Sequence, residues 1–432
     1  MKIGVIVQRF GTEVLGGSEH LARLVAEHLA AQHDVEVLTT CARDYVTWRN
    51  EYPEGADRIR GVTVRRFANA LTRDLDAFNK YSDWIYHNPH TRADEMEWLR
   101  QQGPWCPSLI EYLRRNQHHY DVLIFFTYLY APTVLGLEVN PGKSLLVSTA
   151  HDEPAIRLEI YRDVFTRPGA ICYLTDSERR FVQDTFPDRP LLEEVVGVGV
   201  DIPQRQPYPR MPAAADEQAS ASGDEEEPPA GTGGDESAPG DYSPGVTARG
   251  AVFRRKHRLY GPLVLYGGRI DPGKGCEELI EYFSSYIREG GDGTLALMGA
   301  KLMSLPEESF IRFAGLLSDH ERVQALEAAT VVVCPSPYES LSLLALEALA
   351  AGTPILANAR SAVLVEHCVR SNGGLYYADR DEFVEALKLL IGDARLCETL
   401  GRNGRDYVRR NYRWDVVLGK YDRLFGKLRN AR

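Results

Sequence analysis

Short apolar runs rich in β-branched residues recur along the 432-residue chain, and most are followed by a stretch with the length and polarity of a helix. Few folds satisfy such a pattern. Strands buried on both faces read as continuous apolar runs, and joining them through helices builds a parallel sheet covered on both sides. In the first half the candidate strands are "KIGVIVQ", "DVEVLTT", "VTVRRF", "DVLIFF", "SLLVSTA" and "AICYLT". The first two are separated by "SEHLARLVAEHLAAQ", where Leu21, Leu24, Val25 and Leu29 form one apolar stripe. The second half repeats the alternation with "LVLYGG", "LALMG", "TVVVCPS" and "PILAN". The sequence therefore predicts an α/β protein with two doubly wound units.

Between the halves the pattern stops. Residues 204–250 are rich in Pro, Gly, Ala, Ser and acid, with no apolar periodicity, so they cannot bury enough surface to offset the entropy of ordering and are expected to form a disordered acidic linker. The expected organisation is a first domain over 1–203, the linker, a second domain over 251–412 and a closing helix over 413–432. In that last segment Trp414, Val417, Leu418, Tyr421, Leu424, Phe425 and Leu428 share one face, which suits either packing or a membrane surface. Hydrophobic and charged contents of 44% and 26% are those of a soluble globular chain. The net charge of -11, much of it in 204–250, argues against a nucleic-acid partner. The seven scattered cysteines lack C-x-x-C or Cys/His spacing and fit reduced thiols in a cytoplasm. The first strand runs into a glycine turn rather than a signal peptide, and no apolar run approaches the ~18 residues of a membrane span. A cytoplasmic protein without stable membrane insertion is expected.

Ligands of open α/β sheets gather beyond the carboxyl ends of strands, and three stretches occupy that position. The loop "GGRIDPGKG" holds two cations, Arg269 and Lys274, a planar fork and a mobile point charge that together suit a diphosphate; a charged turn has a similar composition. The stretch "SPYESLSLLALEALAAGTPIL" reads as turn, helix and turn, with Glu339 and Glu347 a little over two helical turns apart. That spacing fits two contacts to one elongated ligand, and equally an exposed loop glutamate plus a solvated helical one. Gly16 and Gly17 enter the first helix, where free N–H groups suit a phosphate and where a tight turn alone also explains glycine.

Taken together, "GGRIDPGKG" and the E-x7-E stretch, with "GGSEHLARLVAEHLAAQHDVEVLTT", "STAHDEP" and "GVGVDIP" in the first half, resemble family 4 glycosyltransferases. The resemblance spans nearly the whole chain except 204–250 and 69–117. It implies the GT-B fold, two Rossmann-like domains facing each other across a cleft, and transfer of a hexose-type sugar from a nucleotide-diphosphate donor to a hydroxyl of a sugar, small-molecule or lipid-linked acceptor, with retention of anomeric configuration. Carried over by residue, it implies that Arg269 and Lys274 bind the donor diphosphate, that Glu347 receives the ribose hydroxyls, and that Glu339 and His151 contact the reacting sugar. Gly16 and Gly17 would lie near the phosphates, and the backbone of Ser342, Leu343 and Leu344 near sugar and phosphate. Many relatives carry Gly where this chain has Ser342. Neither metal nor cofactor is implied: "DLD" at Asp74 to Asp76 lies outside any strand-to-helix switch point.

The stretch 69–117 interrupts the alternation and carries Trp84, Tyr86, His87, Trp98 and Trp105, which suit an acceptor pocket or the packing of an insertion. A phosphorylase or sugar-nucleotide epimerase on the same fold, and a non-catalytic nucleotide-sugar binder, are the alternative functions. A dehydrogenase is disfavoured because no G-x-G-x-x-G with a downstream acidic residue occurs.

Overall fold

In a computed structural model, which describes residues 1–14, 16–189, 192–203 and 247–430, the apolar runs become the strands of two sheets. The first half supplies β1 (Lys2–Ile6), β2 (Asp34–Thr40), β3 (Gly55–Ile59), β4 (Val62–Phe67), β5 (Val122–Phe126), β6 (Ser144–Val147), β7 (Ala170–Tyr173) and β8 (Glu193–Val195). Its helices are α1 (Gly17–Leu29), α2 (Leu75–His87), α3 (Arg92–Gln102), α4 (Pro107–Asn116), α5 (Ala131–Leu137), α6 (Ile160–Thr166) and α7 (Asp176–Thr185). The second half supplies β9 (Leu263–Gly267), β10 (Thr294–Met298), β11 (Ile311–Gly315), β12 (Val331–Cys334), β13 (Ile355–Asn358) and β14 (Gly374–Tyr377). With them come α8 (Ala248–His257), α9 (Cys276–Arg288), α10 (Asp319–Ala328), α11 (Leu343–Ala351), α12 (Ala362–Ser371), α13 (Arg380–Gly392), α14 (Ala394–Asn411) and α15 (Trp414–Asn430).

Among the described residues the first sheet has the order β3-β4-β2-β1-β5-β6-β7-β8 and the second β11-β10-β9-β12-β13-β14. Pairing is parallel throughout except for β3, which runs antiparallel to β4. The order reverses at β1/β5 in the first sheet and at β9/β12 in the second, the switch points where such folds open a crevice. Leu21, Val25 and Leu29 of α1 are buried as the stripe predicts, and β12 and β13 are buried along their whole length. Helix α11 stops at Gly352, whose φ of 78° closes the turn.

One boundary departs from the sequence reading. Residues 204–246 of the expected linker lie outside the described residues, but 247–250 do not belong to a linker. Thr247 caps α8 by accepting from the Gly250 N–H, and Arg249 pairs with Glu327 at 2.6 Å. A Cβ at Gly250 would collide with the Glu327 carbonyl, so the helix sits directly on that backbone. Residues 247–250 therefore belong with the second half rather than with the linker. The insertion 69–117 forms α2, α3 and α4, and its tryptophans divide. Trp98 is buried against Phe78, Tyr86 and Tyr161, whereas Trp84 stays exposed. Asp74 accepts from the Ala77 N–H and caps α2.

The two domains meet on polar contacts. Glu366 of α12 sits at the N-terminus of α7, accepting from the Ser177 N–H at 2.7 Å, the Ser177 hydroxyl at 2.5 Å and the Asp176 N–H at 3.4 Å. Arg370 bridges Glu366 at 2.9 Å and Asp176 at 2.6 Å. Burial raises the Glu366 carboxyl, but Ser177 and Arg370 more than offset it and hold the group below its ordinary value. From the other side, α15 crosses to the first sheet. Trp414 stacks on His28 with centroids 3.5 Å apart, and Lys420 donates to the carbonyls of Val195 and Val196.

Candidate active site

The loop after β9 is built around Asp271, which accepts from the Lys274 N–H and caps the turn Pro272–Lys274. Gly275 follows with φ 73°, and a Cβ there would strike the Pro335 carbonyl. Only glycine lets this loop rest on the one that follows β12. That contact brings Lys274 to Glu339, Nζ to Oε1 at 2.8 Å. Ser342 then starts α11 in the left-handed region, φ 62°, with no side-chain cap and no acid in the first turn. The N–H groups at the start of α11 thus keep their partial positive charge available.

Facing this from the first domain are the loops after β1, β5 and β6. They enclose, with the second-domain loops, a cavity of about 280 Å³ lined by Gly17, His151, Lys274, Glu339, Ser342 and Leu343 among the residues expected from sequence. A neighbouring cavity of about 200 Å³ shares Leu343 and holds Glu347, with Arg23 of α1 and Arg322 of α10. Arg322 is ion-paired to Glu347. Burial raises the Glu347 carboxyl above its ordinary value, with Arg322 acting in the opposite direction. His20 of α1 lies in the same cavity and is pushed down to about 4, first by burial and then by Arg23 and Arg322, so it is neutral at neutral pH.

Three expected residues stand apart from both cavities. Arg269 points to the rim, its Nη1 3.4 Å from the Tyr45 hydroxyl and its Nε 3.3 Å from Asp271. Gly16 is the cap residue before α1, packed against the buried Arg9–Glu19 ion pair. Leu344 faces inward against Gly267 and the sheet. Sequence reasoning missed Thr127, Tyr128, Tyr130, Thr149, Glu153 and Tyr338, all of which line the larger cavity. Thr127 and Thr149 have φ of 62° and 50°. A β-branched residue rarely adopts that conformation, and with Ser342 three non-glycine residues of positive φ border one cavity. Their place directly after β5 and β6 is the only sequence signal they gave.

Behind the His151 loop lies Glu178 of α7, fully buried. Its Oε1 accepts from the Ser148 hydroxyl at 2.6 Å and the Ala150 N–H at 2.7 Å, and its Oε2 from the Leu174 N–H at 2.6 Å. Burial outweighs these donors and raises the carboxyl to about 7. Among the described residues no group of three His, Cys, Asp or Glu side chains is arranged to hold a metal, and no helix is long and apolar enough to cross a membrane.

Comparison with known proteins bears on this geometry. Residues 261–393 match the family model described as Glycosyl transferases group 1. That stretch carries the Lys274–Glu339 pair and Glu347. The chain is 30% identical over 188 residues to an MMP α-(1→4)-mannosyltransferase of Mycolicibacterium hassiacum, covering 40% of this chain and 44% of the relative. It is 27% identical over 190 residues to a putative glycosyltransferase, YtcC, of Bacillus subtilis, covering 39% and 47%. The matches thus span less than half the length of these relatives. In three dimensions the likeness extends over the length of the chain. A sucrose-phosphate synthase from Thermosynechococcus elongatus superimposes with TM-score 0.68 at 18% identity over 100% of both chains. The Anabaena protein HepE, solved in complex with UDP-glucose, superimposes with TM-score 0.66 at 14% identity over 99% of this chain and 100% of that one. The fold is GT-B. In GT-B terms, the two cavities lie in the cleft between the two Rossmann-like domains.

Proposed function

We propose that the chain is a glycosyltransferase of the family 4 type, moving a hexose-type sugar from a nucleotide-diphosphate donor to a hydroxyl acceptor with retention of configuration. The observation that carries this reading is the convergence of Lys274 and Glu339 from one domain with His151 from the other on a single cavity beside the N-terminus of α11. Breaking a sugar–phosphate bond develops positive charge at the anomeric carbon and negative charge on the diphosphate. Lys274, Arg269 from the rim and the α11 N-terminus take up the negative charge without a metal or cofactor. Glu339 and His151 hold the sugar between them. Glu347, in the adjoining cavity, receives the ribose hydroxyls once Arg322 shares it. The relatives include a mannosyltransferase, and HepE was solved with UDP-glucose, which favours a nucleotide-sugar donor here too. The seven unpaired cysteines fit a reducing compartment, the cytoplasm.

Glu347→Gln and Glu339→Gln test the reading because they should fail differently. The first weakens binding of the free nucleoside diphosphate. The second leaves that binding nearly intact and depresses kcat, since its contact is to the sugar where charge develops. Equal loss of nucleotide affinity in both variants, or none in either, removes the assignment.

A further inference from the structure

His367 is fully buried, lies outside both cavities, and has both ring nitrogens engaged. It projects from α12, the helix whose Glu366 and Arg370 meet the first domain. Its Nε2 lies 2.7 Å from the Leu341 carbonyl, and its Nδ1 3.2 Å from the Tyr407 hydroxyl of α14. That hydroxyl is in turn 3.2 Å from the hydroxyl of Tyr412. A carbonyl can only accept, so Nε2 carries the ring hydrogen and donates it to Leu341. Burial outweighs the Leu341 carbonyl and holds the ring below its ordinary value, so at neutral pH the ring is uncharged and Nδ1 accepts. Tyr407 therefore donates to Nδ1, and Tyr412 to Tyr407. The far end of this chain is anchored as well: the Tyr412 carbonyl accepts from the Val200 N–H at 2.7 Å, and a Cβ at Gly197 would strike the Tyr412 ring.

The near end bears on the donor site. Leu341 lies between Glu339 and the start of α11, where Ser342 has φ 62° and no side-chain cap. The Leu341–Ser342 peptide is trans, so its carbonyl and its N–H point in opposite directions. Holding the carbonyl toward a ring in the domain interior turns the Ser342 N–H away from that interior. Among the described residues this N–H has no protein acceptor, and Ser342 lines the larger cavity together with Lys274 and Glu339. Left-handed backbone at a residue other than glycine persists only where its surroundings enforce it, and the His367 hydrogen bond is such a constraint.

We infer that His367 is a positioning residue for sugar transfer: through the Leu341 carbonyl it aims the Ser342 N–H at an oxygen of the donor diphosphate. The inference rests on the glycosyltransferase reading. As the sugar leaves, charge gathers on the diphosphate oxygens, so the aim of this N–H counts most in the transition state and in the free nucleoside diphosphate, and least in the intact donor. His367 touches no substrate. Two amides separate the ends of its ring, because the glutamine amide reaches the place of Nε2 and the asparagine amide only the place of Nδ1.

The full chain is assayed with UDP-glucose, GDP-mannose and ADP-glucose as donors and glucose as acceptor, following release of nucleoside diphosphate. His367→Asn should lower kcat by about 100-fold and weaken binding of the free nucleoside diphosphate by about 10-fold, with the donor KM within about three-fold. His367→Gln, which keeps a donor for Leu341, should hold kcat within about five-fold of the parent. Thermal midpoints are measured alongside, since a ring that only braces the core predicts that kcat follows stability and that both variants fall together. A second measurement needs no turnover. Carbonyl-labelled leucine with nitrogen-labelled serine marks the Leu317–Ser318 and Leu341–Ser342 peptides in the NMR spectrum, and Ser342→Gly removes the latter signal. In the parent the Ser342 N–H signal should shift when UDP, GDP or ADP is added, and labelled histidine should show the His367 hydrogen on Nε2. Unchanged kcat in His367→Asn, equal losses in the two variants, a hydrogen on Nδ1 instead of Nε2, or a Ser342 signal that none of the nucleotides moves overturns the inference. A parent that consumes none of the donors while its Ser342 signal responds overturns the glycosyltransferase reading; a parent that turns a donor over with a silent Ser342 signal overturns this inference alone.

Discussion

Glu178 makes the stability of the His151 loop depend on pH in a calculable way. Its carboxyl is raised from 4.5 to about 7 by burial, so the folded protein holds that proton more tightly than the unfolded chain. Below pH 4.5 both states are protonated and the contribution is complete. Between 4.5 and about 7 the unfolded state loses the proton first, and stability falls as the pH rises; above 7 both states are ionised and the contribution is gone. A displacement of that size corresponds to about 3 kcal/mol. Glu178→Gln removes the titration. It also turns an amide N–H2 toward the Ala150 or Leu174 N–H, a pH-independent cost of about 1–3 kcal/mol. Urea unfolding of parent and variant from pH 5 to pH 8 isolates the effect, because other titrations cancel in the difference. The parent's advantage over the variant should shrink by about 2.5 kcal/mol across that range. A constant difference would refute the reasoning and mean that the three donors to Glu178 keep it ionised.

Two further outcomes are expected. Glu366→Ala strips the acceptor from the Ser177 and Asp176 N–H groups at the domain contact; with Arg370 partly exposed, about 2 kcal/mol of unfolding free energy should be lost. Because the folded Glu366 carboxyl lies below its ordinary value, this contribution is present above the unfolded carboxylate range and disappears as pH falls through the folded value, so acid titration of the parent should mimic the variant. Ser342→Gly should hold or raise the denaturant midpoint, since φ 62° costs glycine nothing, whereas Ser342→Val should lower stability by about 1–3 kcal/mol.

The parts of this molecule legible in sequence are those whose cause is local. Val331–Cys334 and Ile355–Asn358 could be read as strands because burial on both faces demands continuous apolar runs, and the end of α11 because Gly352 and Pro354 permit little else. The loop pair 267–275 and 335–342 could be read because their charged residues follow directly on apolar strands; that Gly275 lets one loop rest on the other came only with the structure. What stayed hidden is set by distant partners. β3 is exposed along nearly its whole length and exists through its pairing with β4, so it has no apolar pattern. Thr247 to Gly250 looked like linker because their helix is fixed by Glu327, far along the chain. Thr127 and Thr149 carry a backbone conformation that their side chains argue against, and Arg322 finds Glu347 only across two helices. The contact of Arg269 with the Tyr45 hydroxyl of the other domain likewise has no local signal.

Helix α15 also governs the order in which the molecule is completed. Its Val417, Tyr421, Leu424, Phe425 and Leu428 are buried within the same apolar cluster as β1, β5 and α1. A ribosome making this chain thus releases the first sheet long before the helix that covers part of it. Until Trp414–Asn430 emerges, that apolar surface stays open to water or to whatever binds nascent chains. Of the two halves, the one made earlier is consequently finished later, and a chain cut short before Trp414 leaves the defect in that earlier half.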